Sequence, residues 1–157
     1  MIQEKQGLFV LGSGEASQPY NYAVGVYGSR FMTELRDNEK IIGIKCPNCG
    51  KRYVVPRRVC GRCFVEMTEI IDCGTVGVVQ SYTILRFQFL DPETGEKKPV
   101  PYGYGYIKLD GADNSFQHFF EVPEDESKLQ IGARVKAVFN KKKEGTLRDI
   151  KHFTLTE

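Results

Sequence analysis

The chain has 157 residues and a formal charge of +2, with 22 Lys and Arg against 20 Asp and Glu, so it has too weak a global field to be drawn onto a polyanion. At 41% hydrophobic and 27% charged it is globular in composition and long enough for one domain, or a small one with an appendage. Its apolar runs are a few residues long, far short of the roughly 20 a membrane helix needs. The N-terminus Met1-Ile-Gln-Glu-Lys lacks the basic start and apolar core of a signal peptide, and a cytoplasmic protein is expected.

Residues 1–28 are rich in Gly, Ser and Tyr and hold no sustained period of 3.6, so they are expected to form an extended arm, loose or laid on a partner. Ser29 is the expected N-cap of a short helix with Phe31, Met32 and Leu35 on one face, ending near Asn38. A strand over 40–45 leads into Cys46-Pro-Asn-Cys49, and a second strand over 52–55 is bent by Pro56 towards Cys60-Gly-Arg-Cys63.

Two Cys-x-x-Cys turns this close point four sulfurs at one tetrahedral ion. Cys46, Cys49, Cys60 and Cys63 are therefore the expected ligands of a zinc ribbon. A redox pair is the rival for each turn, and iron is an alternative metal in the same sulfurs. Four protein ligands leave no position for substrate, so the zinc is structural. A reducing compartment suits such thiolates. Between Lys40 and Cys63 lie Lys40, Lys45, Lys51, Arg52, Arg57, Arg58 and Arg62 with no acidic residue. These either solvate a small module or form a contact face for an anionic partner or a phosphate-bearing ligand.

After the ribbon the pattern period becomes two. Strands are expected over 68–73, 76–85, 102–109, 115–122, 134–139 and 146–155, with a turn at 91–95 and one helical turn in the acidic connector 124–127. Five or six such strands make a small closed barrel, because closure removes unpaired edges. A Greek-key barrel of the OB type fits best and an SH3-like barrel second. The fold class is thus mainly β, organised as an arm with a short helix (1–39), a zinc ribbon (40–67) and a barrel (68–157).

The chain offers little chemistry of its own. Cys73, the one thiol outside the knuckles, reads as a small buried hydrophobe at a strand end. His118 and His152 stand alone, and there is no serine elbow or Gly-rich phosphate loop. Nucleic-acid binding is the competing class, with Tyr82, Phe87, Phe89, Tyr104, Tyr106 and Phe119 available to stack bases. Alternating aromatics on barrel strands more often fill a core or an interface, and a pI near 8.2 is modest for a committed nucleic-acid binder. A carrier of acyl-CoA without an enzyme partner is a third class.

One ordered series of motifs bears on the family. It runs from Phe31 to Arg36, then Lys45-Cys46-Pro47-Asn48-Cys49-Gly50, Val55-Pro56-Arg57 before Cys60, and Cys63-Phe64 with Glu66. Gly74-Thr75-Val76, Ser81-Tyr82-Thr83, Pro101-Tyr102, Leu109-Asp110-Gly111 and Ile131-Gly132 before Val135 complete it. Over residues 29–155 the chain resembles the rubredoxin-like zinc-ribbon and OB-fold accessory proteins (domain-of-unknown-function family thirty-five) that pair with thiolases and thiolase-like enzymes. It departs at Val55, where a second proline is common. The resemblance implies a non-catalytic subunit of a hetero-oligomer that docks on a thiolase-like chain and helps to hold or shield coenzyme A and its acyl group. The small subunit of an aromatic acyl-CoA thiolase, such as benzoylsuccinyl-CoA thiolase, is one such protein. Arg57 and Arg58 are then candidates to touch the partner or the phosphates of coenzyme A.

Overall fold

A computed structural model describes residues 2–5, 8–11, 23–90 and 95–156. Strands β1 (Ile2–Lys5) and β2 (Leu8–Leu11) pair antiparallel within the segment expected as an arm. Helix α1 spans Gly25–Asn38 and so begins four residues before the expected cap. Ser29 lies inside it, and Val24 at the N-cap contributes no side-chain hydrogen bond. A tertiary contact holds the extra turn instead, since the Tyr27 hydroxyl donates to the Met67 carbonyl at 2.9 Å. The spacing of the apolar face matches the expectation, with Phe31 and Leu35 fully buried.

The ribbon is a three-stranded antiparallel sheet of order β4-β3-β5, built from β3 (Ile42–Lys45), β4 (Arg52–Tyr53) and β5 (Glu69–Asp72). Strand β4 stops two residues short of the expected 52–55, because the backbone of Val54 is bonded elsewhere. Its N–H donates to Asn114 Oδ1 at 2.8 Å, and its carbonyl accepts from the Asn114 side-chain amide. The strand expected over 68–73 with the barrel set joins the ribbon instead, pairing Ile42 with Asp72 through Lys45 with Glu69.

The barrel closes in the order β10-β8-β7-β6-β9, from β6 (Val76–Leu85), β7 (Tyr102–Leu109), β8 (Phe116–Phe120), β9 (Arg134–Phe139) and β10 (Ile150–Leu155). This five-stranded closure matches the OB type. Strand β6 is long enough to serve two neighbours, and a register shift between Val79 and Ser81 lets it curve from β9 towards β7. The last expected strand, 146–155, begins only at Ile150. Thr146 caps a 3₁₀ turn over Leu147–Asp149, with its hydroxyl and the Asp149 carboxylate forming a reciprocal box. A second 3₁₀ turn, Glu126–Lys128, occupies the acidic connector. Of the turn expected at 91–95, residues 91–94 lie outside the described residues.

One core runs through the molecule. Phe31 and Leu35 of α1, Ile41 and Ile42 of the ribbon entry, and Val79, Ile107, Phe120, Val135 and Phe153 of the barrel share a single buried cluster. A second, smaller cluster of Ile44, Tyr53 and Met67 lies beside Cys46 and Cys60. Helix α1, at 14 residues, is too short to cross a membrane, and no described helix is long and apolar enough to do so.

Candidate metal centre and barrel groove

The two knuckles are copies of one backbone motif. Cys46 N–H donates to the Lys51 carbonyl at 2.9 Å and Gly50 N–H to the Cys46 carbonyl at 3.0 Å. In the second knuckle, Cys60 N–H donates to Val65 and Phe64 N–H to Cys60, both at 3.0 Å. The sulfurs of Cys46, Cys49, Cys60 and Cys63 all lie within 4.8 Å of one another. Cys46 and Cys60 are fully buried, whereas Cys49 and Cys63 are half-buried.

The donors around Cys60 favour its thiolate. The Tyr53 hydroxyl approaches its sulfur at 3.3 Å, and the N–H groups of Arg62 and Cys63 point at it from 3.4 Å. These hydrogen bonds, Tyr53 foremost, draw the Cys60 thiol down to about 6 against the opposing effect of burial. The same contact pushes the Tyr53 phenol up to about 12, so it remains a donor. Four convergent soft sulfurs, one held by three donors, fit a structural zinc ion.

Acids from outside the basic stretch offset much of its charge. Arg52 pairs with Asp113 at 2.8 Å, Arg58 with Glu66 at 3.0 Å and Lys45 with Glu69 at 3.7 Å. Arg57 lies over the Tyr53 ring at 4.7 Å and Lys51 over the same ring at 5.4 Å. Arg57 and Arg58 are both exposed beside the metal centre.

A second feature is a groove of about 500 Å³ on the barrel, a volume typical of small-molecule sites. It lies across β7 and β8, between the β6–β7 and β9–β10 connections, where OB barrels present their ligand face. Tyr104 packs on Phe119 with centroids 4.9 Å apart, Tyr102 meets the same ring edge-on at 5.8 Å, and Lys98 Nζ sits 2.9 Å above it. Phe89, Leu90 and Leu147 add exposed apolar surface, and Arg148 and Lys151 add charge.

His118 forms part of the groove wall but is buried, its ring packed on Phe116 and Phe153 at 5.7 and 5.9 Å. Its Nε2 lies 3.1 Å from the Leu147 carbonyl, and Nδ1 has no hydrogen-bond partner among the described residues. Burial lowers its pKa and keeps it neutral. Cys73 is 1% exposed, and burial pushes its thiol up to about 12, as its reading as a buried hydrophobe implies. His152 lies on β10, 3.8 Å from Glu121.

Of the aromatics considered for stacking, Phe89, Tyr104 and Phe119 meet in the groove. Phe87 pairs with Phe89 at 4.4 Å, Tyr82 packs against the core, and Tyr106 is exposed. Tyr102, Lys98, Arg148 and Lys151 escape the sequence reading. Tyr102 and Tyr104 do carry the two-residue spacing of one strand face, but the cations come from the β6–β7 connection (Lys98) and from the entry to β10 (Arg148 and Lys151), which only barrel closure brings together.

Comparison with known proteins places the chain in a family. A family model for the ChsH2 rubredoxin-like zinc ribbon domain matches residues 33–68, and one for the ChsH2 C-terminal OB-fold domain matches residues 71–140. A DUF35 domain-containing scaffold protein of Methanocaldococcus jannaschii is 33% identical over 118 residues, covering 73% of this chain and 78% of that one. The crystal structure of a DUF35-family protein of unknown function from Sulfolobus solfataricus superposes with a TM-score of 0.59 at 25% identity, over 84% of this chain and 87% of that one. The Ltp2-ChsH2(DUF35) aldolase shares the fold at 15% identity, with a TM-score of 0.61 over 86% of this chain and 98% of that one. A four-cysteine cluster in the ribbon, an OB barrel beside it and this level of identity together establish that the chain belongs to the DUF35 family, with its zinc-ribbon and OB-fold domains.

Proposed function

We propose that this protein is the non-catalytic accessory subunit of a thiolase-type enzyme of the cytoplasm, docked on the catalytic chain and helping to hold its acyl-CoA substrate. The observation that carries this reading is the groove at the OB ligand face, where an aromatic wall of Tyr102, Tyr104 and Phe119 stands among Lys98, Arg148 and Lys151. Coenzyme A combines a flat base and an apolar acyl chain with phosphates, and such a ligand matches rings and cations in one cleft. A relative described as a scaffold protein supports the docking role, as does an aldolase complex containing a chain of the same fold.

The chain's own groups support a non-catalytic role. Thiolysis needs an activated thiolate and a base. Here four thiols converge on the metal centre, the fifth is buried with a raised pKa, and His118 is packed and neutral. Cys46, Cys49, Cys60 and Cys63 would hold the zinc, which stiffens the ribbon. Arg57 and Arg58 would face the partner or the coenzyme phosphates.

The test is purification of the tagged chain from its native host after nuclease treatment, followed by titration of the complex with coenzyme A. A stoichiometric thiolase-like chain, and coenzyme A affinity that falls at least tenfold with Lys98→Glu/Lys151→Glu, are the expected results. The same groove favours a second reading, because rings and cations on this face also stack and track single-stranded nucleic acid. Nuclease-sensitive association, with salt-dependent binding of a labelled oligonucleotide and no protein partner, would establish that reading instead.

A further inference from the structure

The duplicated knuckle sets an internal standard for the residue that follows its second cysteine. In the first knuckle that residue is Gly50 at φ +71°, and in the second it is Phe64 at φ +59°. Both donate their N–H to the carbonyl of the first cysteine at 3.0 Å, so the motif imposes the left-handed backbone. Glycine takes this conformation without strain, whereas a residue with a Cβ does not. A bulky aromatic there is an outlier that needs a reason.

Packing among the described residues supplies none. Phe64 is 82% exposed, and Val59 close to it in sequence is 44% exposed. Arg57, Arg58 and Arg62 flank them, with Glu66 bound to Arg58 at 3.0 Å. An exposed ring, strained backbone and surrounding guanidinium groups together have the composition of an interface hot spot. The knuckle also fixes the ring's starting point before any contact forms, which lowers the ordering cost of binding.

We infer that Phe64 is a docking anchor whose ring inserts into an apolar pocket on the catalytic partner, a pocket edged by carboxylates that meet Arg57 and Arg62. This rests on the accessory-subunit reading above and adds the surface through which docking occurs. Charge complementarity selects an acidic rim, and the neighbour Val59 selects an apolar contact, since a base-stacking platform would present a second ring.

The experiment replaces Phe64 by Gly and by Asn, the residues that best tolerate this backbone, in the full zinc-loaded chain. Thermal melting of the free chain and binding to the copurified catalytic subunit are both measured, with Val26→Ala as control because Val26 is equally exposed at 82%. The expected pattern has opposite signs. The glycine variant melts about 2–4 °C higher yet binds the partner about thirtyfold more weakly, and the control changes neither.

Wild-type binding by both variants overturns the inference. So does a lower melting temperature in the glycine variant, which would make the ring part of the chain's own packing. Association that proves to be with a second copy or with RNA also overturns it. A copurifying catalytic subunit that is not thiolase-like, bound in the same Phe64-dependent way, leaves the anchor standing and rejects the thiolase reading.

Discussion

Arg52 and Asp113, 61 positions apart in the chain, clasp the ribbon to the barrel through four hydrogen bonds. The guanidinium donates Nη2–H to Oδ1 at 2.8 Å and Nε–H to Oδ2 at 3.3 Å, and the Arg52 backbone N–H reaches Oδ2 at 2.8 Å. In return, the Asp113 N–H donates to the Arg52 carbonyl at 2.9 Å. Asn114 continues the seam by bonding both backbone groups of Val54. The metal centre is thereby held in a fixed place relative to the barrel.

The Arg52 guanidinium holds the Asp113 carboxyl down to about 2. An unfolded aspartate titrates near 3.9, so the folded value is the lower one. The clasp therefore contributes fully above about pH 4 and is lost as pH falls towards 2. Asp113→Ala should cost about 1 kcal/mol at pH 7, a modest figure because both side chains are partly exposed. Urea unfolding at pH 7, 4 and 2.5 checks this. An equal acid-induced loss in wild type and variant would assign that loss to other carboxylates.

Tyr53 should tune the metal centre without belonging to it. It is 5% exposed, so Phe fills the same space and keeps the ring beneath Arg57 while removing the donor to Cys60. Partners of metal ligands typically carry about 10–100-fold in affinity. Tyr53→Phe is expected at the low end, about tenfold weaker for zinc in chelator competition, with unchanged β-sheet circular dichroism. Zinc retention equal to wild type would show that the N–H groups of Arg62 and Cys63 suffice.

His118 makes the barrel acid-sensitive. Burial depresses its pKa in the folded state, and an unfolded histidine titrates near 6.5. Between those values the unfolded chain binds more protons, so stability is full above about pH 6.5 and declines as pH falls through the window below it. His152 shifts in the same direction from burial and contributes alongside it. His118→Phe, placed among Phe116, Phe119 and Phe153, should flatten part of this slope between pH 7 and 5. A variant slope identical to wild type would place the acid response elsewhere.

The elements legible in the sequence are those whose signal is local. Cys46-x-x-Cys49 and Cys60-x-x-Cys63 specify the metal centre by spacing, and strict alternation over 76–85 and 102–109 gives β6 and β7 to the residue. Errors arise where a distant group decides. Val54 leaves β4 because Asn114 takes its hydrogen bonds, and Tyr27 extends α1 by reaching Met67. Strand β5 reads as barrel by period yet pairs with β3, because alternation reports a sheet face and says nothing about which sheet. The groove is equally invisible in one dimension, since its cations lie on two distant stretches of chain, Lys98 on one and Arg148 with Lys151 on the other.

Gly43, on the central strand of the ribbon sheet, has no room for a side chain. A Cβ there would lie 2.4 Å from the Cys73 sulfur and 2.6 Å from the Tyr53 carbonyl oxygen, closer than any real contact. One obstacle is a side chain and the other is backbone, so two variants separate them. Gly43→Ala should destabilise by about 1–3 kcal/mol, the usual range for overpacking. Adding Cys73→Ala removes the sulfur but leaves the carbonyl, so it should restore only part of that loss. Cys73 itself reports on the seam. It is 1% exposed with its thiol raised to about 12, and in wild type it should resist a disulfide reagent at pH 8 while zinc is bound. In Gly43→Ala, β3 must shift away from Cys73, and labelling of this thiol should accelerate at least tenfold as the seam opens more often. Unchanged labelling together with unchanged stability would mean that the ribbon sheet absorbs a methyl group at its centre, and the seam would then be looser than its distances state.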